Sequence, residues 1–287
     1  MKVAFQGARG AYSEAALRRH FGARAEALGC SLSEQVFEAV EKGQVDFGIL
    51  PVENTIAGNV AVNADLFLKS EAFVIAECYL KIEHCLLARA STRLADVKTV
   101  YSHPVALAQC RAFLERHCLK SIPEYDTAGA AEFVARRRAI GEAAIAGSLC
   151  AKTYGLAILR RNIQTHRRNI TRFLVFARRD RVPEGLKMRK TSLAFSTGHR
   201  PGALLSCLRR FADHGINLTR LESRPIPENP FEYVFYVDLL GGLKDPRVAR
   251  ALRELEKDAH HVKIIGSYPI GGLPKLKFPS SFRRFQR

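Results

Sequence analysis

The chain has 287 residues, of which 47% are hydrophobic and 25% are charged, so its composition is that of a globular protein long enough to bury a real core. Its 45 basic and 28 acidic residues leave a net charge of +17, which favours anionic partners. Zinc-finger spacing, an aromatic RNA-binding signature and a bZIP pattern are all missing, so we expect no nucleic acid partner.

The cysteines predict free thiols. All seven are scattered without a C-x-x-C pair, and several lie inside apolar runs. This pattern fits a reducing compartment better than a disulfide framework. No stretch approaches the roughly 20 apolar residues of a membrane span, and the first apolar run is too short for a secretion signal. We therefore expect a cytoplasmic protein with no membrane contact.

The first part of the chain alternates strands with helices. Strands are predicted at 3–5 and 45–50, and helices at 14–21 and 31–43. A glycine turn from Gly7 to Gly10 leads into the first helix, and Ser13 is predicted as its N-cap. Asn54 follows the second strand, where α/β proteins place ligands, and its amide both donates and accepts hydrogen bonds. The alternative for Asn54 is a residue that only stabilises a turn.

A second lobe is predicted after a long apolar run at 73–87, which we interpret as a connector. Strands are predicted at 99–101 and 143–146, and helices at 105–117, from about 125 to 138, and up to 154. Ser102 lies where the first of these strands ends, and Gln109 lies inward on the helix that follows. Both are candidates for polar groups in a site.

The stretch from Asn169 to Phe173 is the centre of the pattern. It opens an apolar run at 170–177 that is predicted as a buried strand returning to the first lobe. The hydroxyl of Thr171 and the guanidinium of Arg172, at the mouth of this strand, suit a site that holds an anion and donates a hydrogen bond. Both crossings between the lobes would then line a cleft floor beside Thr171. The alternative is an ordinary strand with arginines on a solvated face.

A separate domain is predicted beyond a polar linker at 181–190. Its strands are expected at 191–196, 216–223, 232–239 and 262–267, and its helices at 203–214 and 245–259. This βαββαβ order is the ferredoxin-like arrangement. The domain would span 191–270, and residues 271–287 would form a basic, mobile tail.

Several motifs in the right order resemble those of the prephenate dehydratase family. They are Gly7-x-x-Gly10-x-Tyr12-Ser13-Glu14, Pro51-Val52-Glu53-Asn54-Thr55, Ser102-His103-Pro104, Gln109-Cys110, Asp126-Thr127-Ala128 and Thr171-Arg172-Phe173. Gly202-Ala203-Leu204-Leu205 and Glu222-Ser223-Arg224-Pro225 are similar to motifs of that family's ACT regulatory domain. Val105 departs from the pattern, because the family usually has Gln there.

The resemblance implies an α/β fold with a catalytic domain over 1–180, similar to a type II periplasmic-binding-protein fold. Its first lobe would cover about 1–77 and 170–180, and its second about 78–169, before a ferredoxin-like ACT domain. The implied reaction converts prephenate to phenylpyruvate in phenylalanine biosynthesis, with loss of carbon dioxide and water. No cofactor and no metal are implied.

The resemblance also assigns roles to residues. Thr171 would supply the essential hydroxyl, with Asn54, Ser102 and Gln109 orienting the substrate. On physical grounds, and not from the resemblance, Arg172 and the helix end at Ser13 are candidates for binding the substrate carboxylate, and Phe173 is predicted to bind the substrate as well. Phenylalanine would act as effector between the ACT domains of a homodimer or homotetramer. Its expected site residues, which could equally be packing residues, are Ala203, Leu204, Asn217, Leu218, Glu222 and Ser223.

Other functions fit parts of the pattern. An arogenate dehydratase would act on a substrate with an amine in place of the ketone, and the sequence does not separate the two. A solute-binding protein shares the two-lobed pattern, although no export signal is seen. A non-catalytic amino-acid-sensing ACT protein is the third alternative, but it would have no need for a hydroxyl at 171 with polar groups at 54, 102 and 109.

Overall fold

A computed structural model describes residues 1–137, 139–226 and 229–273. Residues 274–287, which hold most of the predicted basic tail, lie outside the described residues. The helices are α1 Tyr12–Phe21, α2 Ser33–Glu41, α3 Ala61–Lys69, α4 Pro104–Gln109, α5 Arg111–Arg116, α6 Thr127–Arg137, α7 Ser148–Tyr154, α8 Ala203–Asp213 and α9 Pro246–Asp258. Over these ranges, none of the helices has the length and apolar character that crossing a membrane requires.

The strands form two sheets. They are β1 Lys2–Gln6, β2 Glu26–Cys30, β3 Phe47–Asn54, β4 Gly58–Asn59, β5 Phe73–Lys81, β6 Cys85–Ala88, β7 Thr99–Ser102, β8 Lys120–Pro123, β9 Glu142–Ala146, β10 Ala157–Arg161, β11 Ile170–Ala177, β12 Lys190–Ser196, β13 Leu218–Ile226, β14 Asn229–Leu240 and β15 His261–Tyr268. The larger sheet has the order β13-β14-β12-β15-β5-β11-β3-β1-β2, with β4 paired to β3. The smaller has the order β10-β6-β9-β7-β8.

The two-lobed α/β arrangement predicted from the sequence is confirmed. The first lobe contains β1, β2 and β3 in parallel, with β11 antiparallel between β3 and β5. The second lobe is the smaller sheet with its helices. The chain crosses between lobes after β5 and again before β11, and the two crossings touch where Ile82 N–H donates to the Asn169 carbonyl at 2.8 Å.

The βαββαβ order of the C-terminal part is also confirmed, as β12-α8-β13-β14-α9-β15. Its helices bury Phe211 of α8 and Leu255 of α9 against the sheet. The edge strand β15 meets β5 in parallel at one residue pair, Gly266 with Val74. The C-terminal sheet therefore continues the sheet of the first lobe, so the two parts share one layer.

Some elements differ from the prediction. Strands β2, β8 and β10 and helix α3 were not predicted, because their sequences lack a clear apolar period. The predicted helix at 105–117 is two helices, α4 and α5, which meet at Cys110 with φ −103° and ψ 10°. Strand β3 continues through Pro51 to Asn54, so Asn54 lies on a strand and not in a loop.

The centre of the first lobe depends on close contact between an aromatic ring and a glycine. Phe176 of β11 is fully buried, and its ring stacks on Phe37 with centroids 4.4 Å apart. A Cβ added at Gly48 of β3 would lie 2.3 Å from this ring. Strand β3 can therefore lie this close to the ring only with glycine at position 48.

We expect Gly48→Ala to destabilise the protein by about 1–3 kcal/mol, the usual cost of overpacking a core. The measurement is the midpoint of urea unfolding at unchanged m-value. Gly272→Ala is the matched control, because a Cβ at Gly272 meets no atom within 4 Å. Equal unfolding midpoints for the two variants would contradict this account of the core.

Candidate active site

The Thr171 side chain is held by an amide from the neighbouring strand. Thr171 lies opposite Asn54 in the pairing of β11 with β3, and Asn54 Nδ2 donates to Thr171 Oγ1 at 2.9 Å. The carbonyl oxygen of the same amide accepts from the backbone N–H groups of Ile56 at 2.9 Å and Ala57 at 2.8 Å. Two backbone donors thus fix the Asn54 amide, so its NH₂ group must face Thr171.

The hydrogen-bond chain continues into the second lobe. Asn54 Nδ2 also donates to Asn169 Oδ1 at 2.7 Å, and Asn169 Nδ2 donates to Gln109 Oε1 at 2.7 Å. Asn169 is fully buried, just before β11. Gln109 is the last residue of α4, so this chain connects the strand of Thr171 to a helix of the other lobe.

His84 and Tyr12 complete the chain. His84 Nε2 lies 2.8 Å from Gln109 Oε1, and its Nδ1 lies 2.8 Å from the Tyr12 hydroxyl. Burial lowers the pKa of His84, although the hydrogen bond with Gln109 raises it in part. The neutral ring donates from Nε2, because Gln109 Oε1 can only accept, and Nδ1 accepts from Tyr12. Burial raises the pKa of Tyr12, which keeps that hydroxyl protonated.

The direction of every bond in this chain follows from the two backbone donors at Asn54. Since Thr171 Oγ1 accepts from the Asn54 amide, the Thr171 hydrogen is left to donate elsewhere. Since Gln109 Oε1 accepts from both Asn169 and His84, the Gln109 NH₂ group is left to donate as well. The site therefore presents hydrogen-bond donors on neutral groups.

The loop before α1 differs from the prediction at Ser13, and three of its backbone N–H groups are hydrogen-bonded within the protein. Helix α1 begins at Tyr12, so Ser13 is its second residue and not its cap. Gly7 N–H donates to the Cys30 carbonyl at 2.8 Å, Ala8 N–H to Asp126 Oδ2 at 3.2 Å and Gly10 N–H to Glu14 Oε2 at 2.7 Å. These donors are already satisfied within the protein. Ser13 itself is buried in the first turn of α1.

Arg172 does not face the cleft, which corrects its predicted role in substrate binding. Successive side chains of a strand point to opposite faces, so Thr171 and Arg172 cannot both face the cleft. The guanidinium of Arg172 is buried on the other face, where it donates to Glu77 Oε2 at 2.8 Å and to the Tyr268 hydroxyl at 3.0 Å.

Two other predicted residues are enclosed by protein. Phe173, on the face of Thr171, is 1% exposed and packs in the core with Val3 and Phe5. Ser102 is fully buried, and its hydroxyl donates to the Ile145 carbonyl at 2.6 Å. This bond ties the end of β7 to β9. A direct contact of either side chain with substrate stays a prediction.

The predicted effector residues lie at two ends of the ACT domain. Ala203 and Leu204 begin α8 and line a small cavity of about 150 Å³ with Phe235. Ser223 pairs with Phe235 in β13 and β14, so it belongs to the same end, next to Glu222. Asn217 and Leu218 lie at the far end of α8, which has 11 residues and is therefore about 16 Å long. One chain does not bring the two groups together.

A cavity of about 1010 Å³ lies beside the loop after β1, strand β2 and helix α6, and includes Gly7, Tyr125 and Tyr154 in its lining. The hydrogen-bond chain has six residues, and none of them lines this cavity: Tyr12, His84, Gln109, Asn169, Asn54 and Thr171. The hydrogen-bond chain at Thr171 and this cavity are therefore separate features of the structure. Within the described ranges, no group of three or more His, Cys, Asp and Glu side chains is arranged to hold a metal ion.

Sequence reasoning missed Asn169 and His84 as parts of the site. Asn169 lies 115 residues from Asn54 along the chain, and His84 lies 72 residues from Tyr12. Asn169 stands two residues before Thr171, where the two crossings meet. His84 lies inside the predicted connector. Each of these polar residues lies in one of the two segments that connect the lobes, and this position was the signal that could have identified them.

These features define a two-lobed α/β enzyme with an appended ferredoxin-like regulatory domain. The prephenate dehydratase family model matches residues 3–181, and the ACT domain model matches residues 191–257. The chain belongs to the prephenate dehydratase family, and it is a carbon–oxygen lyase with a C-terminal ACT domain.

Two relatives in other organisms span most of the chain. It is 42% identical over 271 residues to the bifunctional chorismate mutase/prephenate dehydratase of Aquifex aeolicus, covering 94% of this chain and 74% of that protein. It is 40% identical over 279 residues to arogenate dehydratase/prephenate dehydratase 2, chloroplastic, of Arabidopsis thaliana, covering 94% and 73%.

Two solved structures are similar throughout. The prephenate dehydratase of Arthrobacter aurescens in complex with L-Phe has a TM-score of 0.85 at 32% identity, covering 93% of this chain and 89% of that one. A structure described as GqqA, a novel type of quorum-quenching acylase, has a TM-score of 0.86 at 36% identity, covering 94% and 98%.

The buried His84 generates a prediction about pH. Its pKa in the folded protein lies below the unfolded value of about 6.5, so its contribution to stability is present above about pH 6.5 and is lost as pH falls through the folded pKa. His84→Gln keeps a donor toward Gln109. We expect its melting temperature to fall less between pH 7 and pH 5 than that of the wild type, with a difference of about 2–4 °C between the two falls.

The control for this measurement is His260→Gln, at an exposed position. It should keep the wild-type dependence of melting temperature on pH. If the melting temperatures of His84→Gln and the wild type fall by the same amount between pH 7 and pH 5, the buried His84 ring is not the group whose titration lowers stability.

Proposed function

We propose that this chain converts prephenate to phenylpyruvate, and that the Thr171 hydroxyl assists departure of the substrate's ring hydroxyl. The observation that carries the proposal is the hydrogen bond from Asn54 Nδ2 to Thr171 Oγ1. Because the Thr171 oxygen accepts this bond, its O–H group is left to donate to the substrate. Thr171 is 8% exposed, so a donor here acts in surroundings where hydrogen bonds to developing charge are strong.

The reaction balances with one proton. The bond from the ring to its carboxylate breaks and releases carbon dioxide, and the electron pair moves into the ring, which becomes aromatic. The bond from the ring to the hydroxyl breaks, and the departing oxygen takes a proton to become water. Negative charge therefore develops on that oxygen, where the Thr171 O–H donates. A threonine hydroxyl is too weak an acid to lose its proton outright, so it acts by hydrogen bonding and relay.

The other residues orient and enclose the substrate. Asn54 holds Thr171, and the Gln109 NH₂ group donates to the substrate from the second lobe. Ser13, in the first turn of α1 next to Tyr12, contributes to the same wall. Because Gln109 belongs to one lobe and Thr171 to the other, closure of the lobes completes the site.

The test of the reaction is phenylpyruvate formation from purified protein, with prephenate and arogenate assayed in parallel. We expect prephenate to be the better substrate. Higher kcat/KM with arogenate would reassign the chain to that substrate. Hydrolysis of an acylated amide with no phenylpyruvate formation would overturn the dehydratase proposal. Acylase chemistry needs a nucleophile with a base, and the described partner of Thr171 is an amide, which is not a base.

Thr171→Ala should lower kcat by roughly two to three orders of magnitude, because it removes one positioned donor to the transition state. KM should change little, since this contact forms mainly as the hydroxyl departs. Thr153→Ala is the control, because the Thr153 hydroxyl donates only to the backbone within α7. Thr171→Ser should recover part of the rate. Wild-type kcat in Thr171→Ala would remove this hydroxyl from the mechanism.

We also propose that phenylalanine binds between two ACT domains of a dimer. Strand β13 is the outer edge of the larger sheet and pairs only with β14 over the described residues. If a two-fold axis pairs β13 with its copy, the start of one strand lies beside the end of the other. Asn217 of one subunit then lies near Ala203 and Ser223 of its partner, which reunites the two halves of the predicted effector site.

The ligand chemistry suits these groups. N–H groups at the start of α8 can bind the carboxylate, as helix N-termini do. The Asn217 side chain and nearby carbonyls can bind the ammonium, and the ring can lie against Leu204 and Leu218. The Glu222 carboxylate already pairs with Arg220 of its own strand. It therefore contributes less than the neutral groups.

Asn217→Ala should raise the phenylalanine concentration for half-inhibition about tenfold, the scale of one hydrogen bond to a charged group. The measurement is an inhibition curve on the full chain, with molecular mass by light scattering. Asp213→Ala, at the exposed end of α8, is the control and should leave the curve unchanged. Absence of phenylalanine binding to the full-length oligomer at millimolar concentration would defeat the proposal.

Two further assignments are proposals. All seven cysteines are unpaired in the structure, which supports a reducing compartment such as the cytoplasm. We divide the chain into a catalytic part at 1–180, a linker and an ACT domain from 191, in agreement with the ranges of the two family models.

A further inference from the structure

Arg172 takes no part in the proposed chemistry, yet it is the centre of a buried cluster of charged groups. Its Nε donates to Glu77 Oε2 at 2.8 Å, its Nη2 donates to the Tyr268 hydroxyl at 3.0 Å, and its Nη1 contacts Asp238 Oδ2. The Arg172 side chain is 5% exposed, and that of Glu77 is fully buried. Each nitrogen of the guanidinium thus has an acceptor from a different strand.

The other members of this cluster satisfy both carboxylates. Lys190 Nζ donates to Glu77 Oε2 at 2.9 Å, and the backbone N–H of Gly271 donates to Glu77 Oε1 at 3.0 Å. The Ser192 hydroxyl donates to Asp238. Two cations therefore balance the two buried carboxylates, and the partly exposed Glu53 lies 3.8 Å from Arg172 Nη1 as a third. Removing one buried partner would leave another buried charge incompletely paired.

The Arg172 cluster joins two parts of the chain. Arg172 and Glu77 belong to β11 and β5 of the first lobe. Lys190, Asp238 and Tyr268 belong to β12, β14 and β15 of the ACT domain. Each part supplies one cation and one buried carboxylate. Of the four acceptors around Arg172, Glu53 and Glu77 come from the first lobe, and Asp238 and Tyr268 come from the ACT domain, so the position of that domain helps to determine how the guanidinium is held.

Arg172 directly follows Thr171 on β11. The pairing of β11 with β3 is irregular next to Arg172. In the pairing of β11 with β3, Arg172 is opposite Glu53 but Phe173 is opposite Pro51, so Val52 is an extra residue. Such bulges turn side chains to new directions and are frequent next to active sites. The backbone that aims Thr171 is therefore fixed on one side by Asn54 and on the other by the Arg172 cluster.

We propose that Arg172 is a positioning residue through which the ACT domain controls the Thr171 hydroxyl. Effector binding that shifts β14 or β15 would move the acceptors of Arg172 and, through one peptide bond, the hydroxyl on the opposite face. The inference rests on the proposed function and adds the contact through which regulation reaches the site.

Arg172 and Asp238 stay charged near neutral pH. Burial raises the pKa of Asp238, but the charges of Arg172 and Lys190 outweigh it and hold this pKa below its usual range. Burial lowers the pKa of Arg172, and Asp238 more than offsets it, so this pKa lies well above its usual value. The contact between Arg172 and Asp238 is therefore an ion pair at neutral pH.

The test compares full-length Asp238→Asn and Tyr268→Phe with the wild type. The dissociation constant of phenylalanine is measured by calorimetry with and without saturating phenylpyruvate, because coupling between sites is reciprocal and is typically 5- to 150-fold. We expect the ratio of the two constants to move toward one by at least about threefold in both variants. We also expect kcat to fall about tenfold with KM within twofold, since the hydroxyl is misaligned while substrate contacts remain.

Asp258→Asn is the matched control. Asp258 pairs with Arg210 at 2.7 Å between α9 and α8, inside the ACT domain. This variant should keep the wild-type ratio and the wild-type kcat, even if its melting temperature falls. A merely structural role for the Arg172 cluster would lower the melting temperature of all three variants without separating them in the ratio.

Asp238→Asn leaves Arg172 short of one charge, so Tyr268→Phe, which removes a single hydroxyl, decides the case if Asp238→Asn does not fold. Folded variants with the wild-type ratio and kcat would overturn the inference alone. A ratio of one in an active, phenylalanine-binding wild type would also overturn it alone. A wild type that neither forms phenylpyruvate nor binds phenylalanine would overturn the proposed function and this inference together.

Discussion

The alternation of side chains along β11 is the constraint on which the molecule depends. All eight residues of β11 are buried, and the strand pairs with β3 on one side and β5 on the other. Phe173 and Val175 pack toward α1 and the second lobe, while Leu174 and Phe176 pack toward α2, α3 and the ACT domain. Because the period is two, Thr171 and Arg172 face opposite sides of the sheet, and Arg172 is turned toward the ACT domain. One strand therefore contacts both the Asn54 amide and the ACT domain.

Neutral hydrogen bonds on one face and ion pairs on the other suit these two tasks. The hydrogen-bond chain that joins Tyr12 to Thr171 consists of neutral groups, so it orients the Thr171 hydroxyl without placing a permanent charge beside it. Direction comes from the backbone N–H groups of Ile56 and Ala57, which are held in the hairpin after β3. The opposite face tolerates ion pairs because each has a partner, whereas an unpaired buried charge costs about 3–5 kcal/mol. That cost opposes separation of the two parts of the chain.

Local pattern was enough to predict the strand of Thr171 and the elements of the ACT domain, but it ended the strand before Asn54 at residue 50, whereas β3 extends to Asn54. It was not enough for β2, β8 and β10, which are short edge or near-edge strands, such as Lys120–Pro123, whose pairing depends on distant chain. The role expected for Arg172 was wrong for a reason that the sequence already contained. The strand period of two places its side chain on the face of the sheet away from the Thr171 side chain. His84 and Asn169 could not be found from spacing, because the contacts that give them meaning join residues 25 to 115 apart.

The arrangement of the ACT domain explains how a small ligand could act on a buried strand. Its sheet meets the first lobe through β15 and β5, and Arg224 of β13 makes a two-pronged ion pair with Asp65 of α3, at 2.9 and 2.8 Å. Helix α3 follows the hairpin that fixes the Asn54 amide, and Asn63 at its start donates to the Pro51 carbonyl at 2.7 Å. Asn54 and Thr171 are thus each connected to the ACT domain, one through Arg224 and one through Arg172. A ligand shifts such an equilibrium only by its differential affinity for the two arrangements, about 1–3 kcal/mol. That is less than the cost of opening a buried ion pair. A shift of this size therefore moves the ion pairs of Arg172 and Arg224 without breaking them.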